Sequence, residues 1–115
     1  MNAKVGQVRE ERAAEYARWF ACLADGTRIR VLHAVASADR PLTVGDVVDA
    51  VGRSQSTVSR HLRLLADEGY VFLRPDGVRT LVTVNAECMV DLPAAAAEIM
   101  GAAGFAESAG PTEDG

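Results

Sequence analysis

Apolar residues recur at helical spacing through the first part of the chain and switch to an extended pattern after Gly69. From about Val8 to Leu23, Tyr16, Ala17, Phe20, Ala21 and Leu23 gather on one side, with Arg9, Glu11, Arg12, Glu15 and Arg18 elsewhere. That predicts an amphipathic helix, which also holds Trp19. Asp25 is placed to cap a second helix, Thr27 to about Ser37, through its side-chain oxygen. Ile29, Leu32, His33 and Ala36 line one face of it with Val31 and Val35 flanking, and Arg28 and Arg30 lie off that stripe. Pro41 ends the following loop, since proline cannot continue a helix. Thr43 caps a short third helix, Val44 to Val51, with apolar Val44, Val47, Val48 and Val51. Gly52 breaks the pattern, and Ser54 or Ser56 can cap a fourth helix. Val58, Leu62 and Leu65 form its apolar face; Ser56, Ser59, Arg60 and Arg63, at i, i+3, i+4 and i+7, share the opposite one.

Two short helices joined by a glycine-containing turn make a helix-turn-helix pattern. After it, residues 70–74 and 78–84 are rich in β-branched and aromatic residues and read as strands, with Pro75-Asp76-Gly77 as the turn between them. From Ala86 to about Ala103 the pattern is helical again, with Met89, Leu92, Ile99 and Met100 on one side and small residues over Ala94–Ala97. Pro93 either sits in a first turn capped by Asp91 or interrupts a helix begun near Asn85. The fold class is mainly α with a β-hairpin (α+β). The expected organisation is one DNA-binding domain over 1–103 and a disordered acidic tail over 104–115.

Composition sharpens this. The formal charge is −4, yet between Val51 and Thr80 five arginines stand against three carboxylates, a local +2 that leaves −6 for the remainder. A basic strip on an acidic body fits a protein that meets DNA with one face. The outward face of the fourth helix is short, hydrogen-bonding and positive, which suits the major groove, where phosphates and base edges are met together; a solvated arginine face is the bland alternative. The first residues are charged and no apolar run approaches a membrane span, so a soluble cytoplasmic protein is expected. Two cysteines are too few for a disulfide framework. No Ser/His/Asp set, carboxylate pair with a nearby histidine, or glycine-rich phosphate loop points to an enzyme.

Four segments in this order, LADGTRIRVL over 23–32, SQSTVSRHL over 54–62, LADEGYV over 65–71 and RPDG over 74–77, resemble the ArsR/SmtB family of bacterial winged-helix regulators. The resemblance covers about Phe20 to Val84. It implies a winged helix-turn-helix with N- and C-terminal dimerisation helices, a homodimer, and binding to double-stranded DNA at an imperfect palindrome in a promoter. It further implies that Gln55, Ser56, Thr57, Ser59, Arg60 and Arg63, with Arg53 at the turn, face DNA, and that Arg74 and Arg79 grip phosphates from the wing.

The sensing positions depart from that pattern. Where metal-sensing members carry two cysteines separated by one residue, this chain has Thr43 and Gly45, and Glu87 to Met100 contains no histidine. Three effectors therefore stay open: a divalent transition metal (nickel, cobalt or zinc) at a dimer surface, a thiol redox or soft-metal response through Cys22 and Cys88, or tuning by a protein co-regulator. The structural alternative for both cysteines is burial as small hydrophobes. His33 reads as packed at the edge of an apolar stripe, and His61 as a core-edge residue of the helix-turn-helix.

Overall fold

Three helices close over one side of a small sheet, and the valines and leucines of their inward stripes make the core. The structure is a computed structural model that describes residues 5–101, so the expected tail lies outside the described residues. The elements in chain order are α1 (Glu10–Cys22), α2 (Gly26–Ala36), β1 (Leu42–Thr43), α3 (Val44–Val51), α4 (Gln55–Asp67), β2 (Val71–Asp76), β3 (Arg79–Val84) and α5 (Cys88–Ile99). No helix among the described residues is long and apolar enough to cross a membrane.

Local chemistry sets the helix ends. The Asp25 side chain accepts from the backbone N–H of Arg28 at the start of α2, and Ser54, not Ser56, caps α4 by accepting from Thr57. At α3 the cap is reciprocal: the Asp46 N–H donates to Thr43 Oγ1 at 3.1 Å and the Thr43 N–H donates to Asp46 Oδ2 at 2.9 Å. Gly52 ends α3 at φ 69°, a left-handed conformation that residues with a Cβ resist.

Val31, Val47, Val58, Leu62, Leu65, Val71 and Val82 are the largest fully buried side chains, and α4 supplies three of them. Each contributes about 1.5–3 kcal/mol relative to exposure. On α2 the buried stripe is Val31 and Val35; Ile29 and His33, expected on the inner face, are exposed. The helix is rotated from the expected stripe because α3 and α4 both pack on α2, and β-branched Val31 and Val35, four residues apart, meet them.

The sheet is antiparallel in the order β1-β3-β2. The two-residue β1 was not expected; it pairs Leu42 with Val82 and Thr43 with Leu81 and exists only because β3 is there to receive it. The hairpin turn is also displaced. Asp76 pairs with Arg79, so the loop is Gly77-Val78, while Pro75 and Asp76 belong to β2. Gly77 carries the positive φ, 64°, at the first loop position. Proline is tolerated there because β2 is an edge strand.

Pro93 lies inside α5, so of the two sequence alternatives the one with a helix begun ahead of the proline holds. Leu92 is half-buried and Ala95 buried, whereas Met89, Ile99 and Met100 of the expected stripe are exposed, as is Val90. α5 meets α1 through Glu98, whose Oε1 accepts from the Tyr16 hydroxyl and, at 3.5 Å, from Arg12 Nη1.

Candidate nucleic-acid interface

The two faces of α4 are chemically separate. Val58, His61, Leu62 and Leu65 are buried, while Gln55, Ser56, Arg60 and Arg63 are exposed, with Arg53 exposed in the turn. Thr57 and Ser59 are half-buried at the border. The Thr57 hydroxyl lies 3.0 Å from Ser54 Oγ, so it is partly engaged in the cap. The carboxylates at the C-terminal end of α4, Asp67 and Glu68, follow Arg63 by four and five residues, and neither forms an ion pair with it. Among the described residues, Arg53, Arg60, Arg63 and Arg74 enter no ion pair. The site can therefore offer unpaired guanidinium groups and short polar side chains together from one rigid helix.

The wing adds charge less simply. Arg74 and Asp76 are two residues apart on β2 and share a face, and Arg79 stands directly opposite Asp76. Arg79 Nη2 lies 3.1 Å from Asp76 Oδ2. Arg74 is thus free to meet a phosphate, while Arg79 is already held by a carboxylate. Val78 at the tip is fully exposed.

Two further arginines, set aside in the sequence as off the stripe, brace the helices. Neither α1 nor α3 has a basic residue in its last turn. Arg28 and Arg30 of α2 supply one to each: Arg28 Nη1 donates to the Cys22 carbonyl at 2.8 Å and Arg30 Nη1 to the Val51 carbonyl at 3.0 Å. Cationic donors at helix C-termini meet unsatisfied carbonyls and the negative end of the dipole. The sequence signal was that shortage of basic residues at both helix ends. Arg28 Nε also donates to His61 Nδ1 at 3.2 Å. His61 is buried in the core, and burial lowers its pKa below the ordinary histidine value. The Asp25 carboxyl is held below the usual carboxylate range, chiefly by the Arg28 backbone N–H.

The cysteines are both free. The Cys22 thiol points at the Leu64 carbonyl, 3.7 Å away, and the Cys88 thiol at the Gly69 carbonyl, 3.4 Å away. They open into different cavities, Cys22 beside Arg18, Arg28 and Asp67, and Cys88 beside Trp19, Tyr70 and Leu92. Burial pushes both thiols up, which disfavours the thiolate needed for oxidation or metal binding. The Tyr70 hydroxyl donates to the Trp19 carbonyl at 3.0 Å and is pushed up to about 12 by burial.

A metal fits poorly within one protomer. Among the described residues, no three His, Cys, Asp or Glu side chains gather where they could hold an ion. Where the resemblance implies two cysteines, the hydroxyl of Thr43 serves the α3 capping box and Gly45 has no side chain to offer.

The profile described as "Bacterial regulatory protein, arsR family" matches residues 25–71, from the cap of α2 to the first residue of β2. Over this stretch the chain matches the ArsR family. The chain is 40% identical over 76 residues to a probable mercury resistance operon repressor of Streptomyces lividans, covering 66% of this chain and 59% of that protein. It is 31% identical over 77 residues to a cadmium resistance transcriptional regulatory protein CadC homolog of Staphylococcus aureus, covering 67% and 63%. The chain thus spans under two thirds of the length of both relatives. Among solved structures it is similar to a homodimeric winged helix-turn-helix DNA-binding domain of Mycobacterium bovis. That likeness has 26% identity and a TM-score of 0.63, and covers 85% of this chain and 91% of that one. The fold is the winged helix-turn-helix that the four segments implied.

Proposed function

We propose that this chain is an ArsR-family, sequence-specific DNA-binding transcriptional regulator that meets a palindromic promoter site as a homodimer. The observation that carries this is the division of α4: four buried residues on one side, and Gln55, Ser56, Arg60 and Arg63 exposed on the other. Gln can pair with adenine and Arg with guanine in the major groove, while Arg53 and Arg74 neutralise phosphates. A homodimer is supported by the apolar side chains exposed on α5, Met89, Val90, Ile99 and Met100, and by the homodimeric solved relative. No catalytic step enters this reading.

The names of the two relatives, mercury and cadmium resistance, favour a metal as effector. In this chain such an ion would be held by donors from more than one protomer, because no described cluster in one protomer suffices. Cys22 and Cys88 are the soft donors on offer.

The test is affinity for a fragment selected from genomic DNA, measured across salt concentrations. Wild type binds with a steep salt dependence, and Arg60→Ala and Arg63→Ala each weaken binding. Variants that bind as tightly as wild type would overturn the reading. Repeating the measurement with added divalent metals, with and without Cys22→Ser/Cys88→Ser, tests the effector.

A further inference from the structure

Arg28 stands where α1, α2 and α4 meet, and its side chain is only 13% exposed. Its three nitrogens reach three groups: the Cys22 carbonyl of α1, His61 Nδ1 of α4, and Asp25 Oδ2 at 4.0 Å. A guanidinium only donates. Nδ1 of His61 must then carry a lone pair, so the imidazole is neutral with its proton on Nε2. Arg60 and Arg63 project outward from the same turn of α4 whose inner side His61 occupies. Whatever holds His61 therefore sets where those two arginines point.

We propose that Arg28 is a positioning residue for α4, clamping His61 to the end of α1, and that a proton gained at His61 Nδ1 breaks the clamp and lets the helix shift. The clamp is a property of the free protein; only its consequence for operator affinity rests on the DNA-binding reading above. Protonation would set two N–H donors and two cations against each other across 3.2 Å, at a residue 2% exposed, where water screens little. The charged groups facing His61 are Asp25 and Arg28 at the start of α2 and Arg60 on α4 itself, and α1 presents the Cys22 carbonyl through Arg28. One carboxylate thus faces two cations. The lowered pKa of His61 agrees in direction: the clamp is whole at neutral pH and opens on the acid side.

Two variants separate the clamp from general stability. His61→Asn keeps an acceptor near the position of Nδ1 and cannot titrate. Arg28→Lys keeps the charge but replaces the fork with a single nitrogen. The first readout uses the full chain without DNA, as amide NMR spectra between about pH 7.5 and 4.5, a window that extends well below the ordinary histidine value. In wild type, the α4 and Cys22 resonances move in step with the His61 ring; in His61→Asn they stay still. The second readout is affinity for the selected DNA fragment in the same buffers. Wild type loses about tenfold or more over that range, His61→Asn stays within about threefold, and Arg28→Lys is weak throughout. If α4 in wild type ignores the His61 titration, or His61→Asn shows the wild-type acid loss, the clamp is wrong. An α4 that responds as expected in a protein that binds no DNA at any pH supports the clamp and refutes the DNA reading.

Discussion

Replacing Asp76 with Asn should make the protein bind DNA more tightly and more salt-sensitively. Asp76 lies opposite Arg79 in the hairpin with a 3.1 Å contact, and the two side chains are 51% and 61% exposed. On the proposed DNA-binding reading, Arg79 would have to leave this carboxylate to meet a phosphate, which the carboxylate would repel. An exposed pair of this kind is worth about 0.2–1 kcal/mol. With two wings in a dimer, relieving it corresponds to roughly two- to thirtyfold tighter binding at low salt. If each freed Arg79 neutralises one more phosphate, the slope of log affinity against log salt steepens by about 1.8. Between about 50 and 200 mM salt, affinity should then fall about twelvefold more than for wild type. The assay is fluorescence anisotropy of a labelled operator fragment across that salt range. Arg74→Ala is the control: Arg74 has no ion-pair partner among the described residues, so its loss should flatten the slope by about the same 1.8. An unchanged slope for Asp76→Asn alongside a flattened one for Arg74→Ala would refute the idea that Asp76 restrains Arg79.

Leu65, fully buried on the inner side of α4, should lower stability by about 2–5 kcal/mol as Leu65→Ala, seen as a drop of at least about 8 °C in a thermal melt. Gly52→Ala places a Cβ at φ 69° with nothing within 4 Å, so its expected loss of about 1–2 kcal/mol is purely conformational, and Gly52→Asn should recover part of it in denaturant titrations. The Asp25 and Asp46 carboxyls are held low mainly by backbone N–H groups, so their stabilisation is present at neutral pH and lost as pH falls through the lowered values. Asp25→Asn/Asp46→Asn should accordingly flatten the acid side of a melting-temperature profile. Cys22 and Cys88, hydrogen-bonded to carbonyls and with raised pKa values, should react with iodoacetamide more slowly than free cysteine at neutral pH.

The parts of this fold that were legible early are those decided within a few residues. The caps at Asp25 and Thr43 and the left-handed stop at Gly52 depend on one side chain and the turn beside it, whereas the choice of Ser54 over Ser56 came only with the structure. The outward face of α4 was legible because helical spacing alone places Ser56, Arg60 and Arg63 away from Val58 and Leu62. The hairpin turn was misplaced because Pro75-Asp76-Gly77 satisfies local turn chemistry; only the pairing with β3 shows that an edge strand absorbs the proline.

By itself, then, the order of residues determined the helices, the caps at Asp25 and Thr43 and the division of α4 into an inner and an outer face, because each follows from local geometry or from the spacing of apolar positions. Tertiary structure alone decided which stripe of α2 is buried and that Leu42–Thr43 joins the sheet. It also joined Arg28 to His61 across 33 positions and left Arg79 bound to Asp76 while Arg74 stayed free. Hydrogen bonds and ion pairs act over about 3–4 Å, and separation along the chain does not report such distances. Arg28, Arg74 and Arg79 are one residue type in the sequence; their different partners exist only once the chain has folded.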